Sequence, residues 1–151
     1  MALTHAKLDI QGGVLFVVLQ DKERASDAEW AALMADFGAA GRRKGFARVY
    51  GMVVSDGGAP TVTQRANLRE TLAGSSFNGS VLSKSVLVRG AVTAMSWFNP
   101  GIKVFGPDRY AEWLKSVPLQ QEELGVLKET VAKLNETVRC ATIGEVKLTE
   151  R

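Results

Sequence analysis

The sequence predicts an α/β fold: a mixed sheet of about five strands covered by about four helices, with a further helix at the C-terminus. Three observations carry this. Val14-Leu15-Phe16-Val17-Val18-Leu19 is apolar at every position, so both faces of that strand need cover. Two capping-box patterns, Ser26 to Glu29 and Thr61 to Gln64, open helices between apolar runs. The element order then reads strand, strand, helix, strand, helix, strand, helix, strand, helix.

Ala6 to Ile10 and Val14 to Leu19 flank Gly12-Gly13, a dipeptide suited to a tight hairpin. After Ser26, the residues Trp30, Leu33, Met34 and Phe37 recur at helical spacing, and Gly38 to Gly45 is expected to end that helix loosely. Arg48 to Val54 is the second buried strand, and with Val14–Leu19 it is expected at the centre of the sheet. The helix opened by Thr61 carries Val62, Ala66, Leu68 and Leu72 and stops near Gly74. Ser75 to Gly79 reads as a polar loop, Val81 to Val88 as a strand, and Ala91 to Phe98 as a short helix closed by Asn99-Pro100-Gly101. Ile102 to Phe105 alternates as an edge strand does. Gly106-Pro107-Asp108 begins the next helix, with Tyr110, Trp113, Leu114 and Val117 facing inward.

Pro118 divides the chain into a domain of residues 1–117 and a helical tail of residues 118–151. In the tail Leu124, Leu127, Val131, Leu134 and Val138 are spaced three, four, three, four, which makes an apolar seam of about two heptads. Such a seam must be covered, either by its own domain or by a second copy in a homodimer. Ala141 to Leu148 reads as a short strand or a disordered end.

Bulk properties exclude several classes. At 46% hydrophobic and 23% charged residues the 151-residue chain is an ordinary globular composition, sized for one domain. The net charge of +3 is scattered, and Arg42-Arg43-Lys44 reads as a solvated helix end, so no nucleic acid is implied. One cysteine, Cys140, excludes an internal disulfide, and with one histidine, His5, near what reads as a mobile terminus, no metal site or catalytic triad can be assembled. There is no signal-peptide pattern and no apolar run of membrane-spanning length, so the chain reads as cytoplasmic. No cofactor is implied.

The most informative stretch is Val53 to Gln64. An apolar strand stops at Ser55-Asp56, Gly57-Gly58 release the backbone, and Pro60-Thr61 begin a helix; α/β folds place binding sites at such strand ends. Ser55, Asp56, Gly57, Gly58, Thr61, Thr63, Arg65 and Arg69 are the candidate contacts to a partner. Arg65 and Arg69 lie four apart on the helix, with Lys84 and Arg89 elsewhere, and suit either an acidic partner or a solvated face. Asp56 fits a turn former better than a ligand to a metal, and Ser55 has no base beside it. Gly57-Gly58 lacks the Lys-Ser/Thr ending of a phosphate loop. Trp97-Phe98 suits the core or the lining of an apolar pocket.

The Gly12-Gly13 hairpin, the Val53 to Gly58 strand end, and the segments Val86-Leu87-Val88, Ile102-Lys103-Val104-Phe105 and Ala111-Glu112-Trp113-Leu114 together resemble the STAS superfamily, the sulphate transporter and anti-sigma-factor antagonist domains. Within it the likeness is to the sporulation-antagonist-like bacterial proteins, over about residues 6 to 117. The resemblance implies a signalling module that works through protein–protein contacts, some members binding nucleotides or lipids. It also implies a phosphorylated Ser or Thr at the start of the helix after the third strand. The family's Asp-Ser-Ser-Gly pattern is absent here, and Thr61 and Thr63 are the candidate phosphoacceptors in that neighbourhood.

Two functions therefore compete. One is a non-enzymatic regulatory or scaffold protein that binds a protein partner through the Ser55–Thr63 loop and the helix after it. The other is a lipid- or nucleotide-binding carrier, its ligand lying between that helix and the Ala91–Phe98 helix. An enzyme ranks last, because no acid–base or nucleophile–base pair is in view.

Overall fold

The computed structural model describes residues 1–148. β1 (Leu3–Ile10) and β2 (Gly13–Gln20) form the hairpin and run antiparallel. Gly13 has a φ of +148°, and a Cβ there would lie 2.0 Å from the Arg48 carbonyl oxygen, so this turn requires glycine. β3 (Val49–Ser55), β4 (Asn78–Leu82) and β5 (Ile102–Phe105) follow in parallel, giving one mixed five-stranded sheet in the order β1-β2-β3-β4-β5.

That monotonic order decides where everything else goes. Each parallel step moves the same way across the sheet, so right-handed crossovers put their helices on one face. α1 (Asp27–Lys44), α2 (Val62–Leu72) and α3 (Val86–Ser96) share that face, where Phe37, Leu68 and Val92 pack with Phe16, Val18 and Val49. The strand period of two sends Leu15, Val17 and Leu19 to the opposite face, with Met52 and Val54 beside them. α4 (Tyr110–Leu114), after a 3-10 turn at Pro107–Arg109, and α5 (Gln121–Thr137) cover this second face. Every residue of β2 is buried, as its composition requires, and β3 is the middle strand. Tyr110, Trp113, Leu114 and Val117 are all buried.

The tail seam lies on its own sheet. Leu124, Leu127, Val131 and Val138 are buried and Leu134 half-buried, with α5 lying over β1 and β2. Of the two covers the seam admits, this is the intramolecular one for Leu124, Leu127, Val131 and Val138. After α5, Ala141–Glu145 forms a 3-10 turn rather than a strand.

Several boundaries differ from expectation. α1 continues through Gly38 to Lys44 instead of loosening, and β1 starts at Leu3. His5 lies within β1, its Nε2 2.7 Å from Asp36 Oδ2, not on a loose end. The larger difference is Val86-Leu87-Val88, which opens α3 and is not strand; β4 is the earlier Asn78–Leu82, taking in part of the expected loop. Ser85 is the reason. Its Oγ accepts the Val88 N–H at 3.3 Å, capping a helix whose Val88, Ala91, Val92 and Met95 are buried at helical spacing. Among the described residues, no helix is long and apolar enough to cross a membrane.

Candidate functional site

Because β2, β3 and β4 are parallel, the loops leaving their carboxyl ends gather at one edge of the sheet. The strand order does not reverse there, so the site is not at a topological switch point; it is a meeting of loops on the face of α1–α3. These loops are cross-linked. Ser55 Oγ donates to the Gly58 carbonyl at 2.8 Å and accepts the Gly57 N–H at 3.1 Å. Ser83 Oγ donates to the Ser55 carbonyl at 2.8 Å and accepts the Ser85 N–H at 3.1 Å. The Asp56 N–H donates to the Gln20 carbonyl at 3.0 Å, and the Gly58 N–H to the Asp21 carbonyl at 2.9 Å.

Three of the residues expected to touch a partner thus serve inside the molecule. Ser55 and Gly58 are buried, Ser55 as a hydrogen-bonding hub and Gly58 as the place where two loops meet. A Cβ at Gly58 would lie 2.2 Å from the Glu23 carbonyl oxygen and 2.9 Å from that of Asp21. Gly58→Ala is expected to destabilise the protein by about 1–3 kcal/mol in chemical denaturation, since backbone must shift to admit it. Asp56 sits in the bend after β3, and its side chain reaches across to residues 140–142. Its carboxylate accepts the Ala141 N–H and the Thr142 N–H, both at 2.8 Å, and the Thr142 hydroxyl at 2.6 Å. The Cys140 thiol adds a fourth contact, at 3.3 Å. Partial burial raises the carboxyl's pKa, but the donors from Thr142, Ala141 and Cys140 outweigh it, and the net shift is downward. Burial first, and the facing Asp56 charge second, push the Cys140 thiol up to about 12.

The remaining candidates stay at or near the surface. Thr61 is the N-cap of α2: its Oγ1 accepts the Gln64 N–H at 3.0 Å, while Gln64 Oε1 accepts the Thr61 N–H at 3.1 Å. Gln64 also donates to the Ala25 carbonyl at 3.0 Å, which ties the cap to the start of α1. Thr61→Ala is expected to cost about 1 kcal/mol in thermal or urea unfolding. Thr63 is exposed in the first turn of the same helix. Arg65 Nη1 donates to the Pro60 carbonyl at 3.0 Å, and the Arg69 guanidinium lies 5.6 Å from the centre of the Phe98 ring. Trp97 is 81% exposed, so it belongs to neither the core nor a pocket.

Between the N-terminal turns of α2 and α3 opens a crevice of about 1050 Å³. Val62, Val86 and Leu87 line it while remaining 72%, 85% and 70% exposed, and Lys22, Arg24 and Arg65 stand at its rim. Val86, Leu87, Lys22 and Arg24 are absent from the sequence-level candidates. Reading Val86-Leu87-Val88 as a strand hid the first two; the spacing of Val88, Ala91, Val92 and Met95 is the signal that turns them to solvent.

A second space lies beneath α1–α3, an apolar cavity of about 110 Å³. Gly51 and Gly79, paired across β3 and β4, line it with Phe37 and Met95, and the buried Trp30 indole N–H, also on its wall, has no hydrogen-bond partner among the described residues.

No protein-family profile and no curated protein sequence matches this chain significantly. Among solved structures it is similar to an uncharacterized protein from the DUF3478 family with a SpoIIAA-like fold, from Shewanella loihica PV-4. That similarity covers 69% of this chain and 86% of that one, at 13% sequence identity and a TM-score of 0.48.

Proposed function

We propose that this chain is a non-enzymatic bacterial regulatory or scaffold protein that binds a protein partner in the crevice between α2 and α3. One observation carries the reading. Three large aliphatic side chains, Val62, Val86 and Leu87, are exposed together around one opening in a protein whose other aliphatic residues are mostly covered. Single exposed apolar residues need no explanation, whereas several converging on one concave surface mark a contact site. The cross-linked loops beneath give that surface a fixed shape, which limits the ordering cost of binding. If a phosphorylation switch operates here, Thr63 is the better acceptor, because the Thr61 hydroxyl is engaged in its cap. A phosphate on Thr63 would bring about two negative charges to the crevice edge.

The apolar cavity supports the carrier reading in second place. Its volume of about 110 Å³ is below the roughly 150 Å³ of an engineered cavity that accepts benzene. A lipid chain or a nucleotide therefore fits in this cavity only if the helices over it move apart. Native mass spectrometry of the protein purified from its own host separates the two. The expected result is a co-purifying protein that is lost in the Val86→Gln/Leu87→Gln variant. A retained small molecule, unaffected by that variant, would instead identify a carrier.

A further inference from the structure

We infer that the partner presents an acidic, amphipathic helix, with apolar residues on one side and Asp or Glu flanking them; this inference rests on the crevice being the docking site. The first argument is charge. Lys22, Arg24 and Arg65 line the crevice against a single acid, Glu23. Three cations elsewhere on the surface are paired, Arg43 with Asp9, Lys84 with Glu145 and Arg109 with Glu112. Lys22, Arg24 and Arg65 have no such ion pair among the described residues. Their charge is available to a partner, and a rim of one sign selects the opposite sign and speeds encounter.

The second argument is topology. A partner strand would need a free sheet edge, but β3 and β4, whose loops build the crevice, are interior strands paired on both sides. The free edges belong to β1 and β5. Recognition at the crevice therefore works through side chains, and the aliphatic Val62, Val86 and Leu87 are suited to the apolar side of a helix laid between α2 and α3.

The test is a display selection of random peptides of helical length against the full chain, followed by amide-shift mapping of the enriched peptides. Enriched sequences are expected to be net negative, with apolar residues at i, i+3 and i+4, and to shift the amides of Val62, Val86 and Leu87. Leu87→Gln should weaken their binding at least about tenfold. Lys22→Glu/Arg24→Glu, at two exposed positions, should reverse the charge preference in a repeated selection. Melting curves of both variants should match the parent. Neutral or basic peptides that still map to the crevice would overturn the acidic partner and leave the docking site standing. Peptides that map elsewhere, or no enrichment at all, would overturn both. Binding of phosphatidylglycerol vesicles that is lost in Leu87→Gln, with no peptide enriched, would identify a membrane surface and overturn the inference.

Discussion

Removing residues 118–151 is expected to give a protein that aggregates, not a folded monomer. α5 lies over β1 and β2, and its Leu124, Leu127 and Val131 are buried against a sheet face that carries Leu15, Val17 and Leu19. Each such side chain accounts for about 1.5–3 kcal/mol of transfer free energy, and the sheet loses its cover at the same time. That sum rivals the whole stability of a domain, about 5–15 kcal/mol. Light scattering of the truncated protein should show large particles at concentrations where the full chain is clear. The single change Leu127→Ala, at a position with no exposure, should cost about 2–5 kcal/mol. Val126→Ser, on the exposed side of the same helix, should be nearly neutral. A soluble, cooperatively melting truncated protein would mean that α5 is covered by something other than its own sheet.

Asp56→Ala is the second large effect. It removes the acceptor of two backbone N–H groups, a hydroxyl and a thiol, which joins the end of β3 to residues 140–142. Hydrogen bonds to a charged group contribute about 1.5–3 kcal/mol each when shielded, but this carboxylate is partly exposed and the released segment can rehydrate. We expect a net loss of about 2–3 kcal/mol. The loss should be visible in a second way. In the parent, burial and a pKa near 12 keep Cys140 inert to thiol reagents, whereas in the variant it should react readily at pH 8. The pH dependence has a definite sign. The folded carboxyl titrates below its ordinary 3.8, so the contribution is complete above that value and drains away as pH falls through the lower folded value. Glu29 acts in the same direction. Burial raises its pKa, but N–H groups of Leu3, Ser26 and Ala2 and the Ser26 hydroxyl lower it further, to about 2. Acid unfolding of the parent should therefore set in at lower pH than that of Asp56→Ala.

Much of this architecture is legible in the chain because local chemistry and global fold agree. β2 announces its central place by lacking a polar face, and both capping boxes form as their sequences suggest. The sequence alone leaves the tail's cover open between its own domain and a second copy. In the structure three crossovers moving one way leave a sheet face to be covered, and α4 and the apolar seam of α5 cover it. Val86-Leu87-Val88 misleads because consecutive β-branched and aliphatic residues suit a strand, and Ser85 caps without a reciprocal Glu or Gln three residues on. Asp56 could not be read at all: a carboxylate in a glycine-rich loop gives no local sign that its donors lie more than eighty residues away. Ser55, Asp56 and Gly58 show the general difficulty: loop residues with interior duties look like contact residues until their partners are known.

The docking site is tested most directly by a photo-reactive amino acid at position 87 in the native host, with position 126 on α5 as the exposed control. The account predicts a discrete crosslinked protein from position 87 that is absent from position 126 and is lost when Val62 and Val86 are changed to glutamine. No adduct at position 87, or the same adducts from both positions, would contradict it.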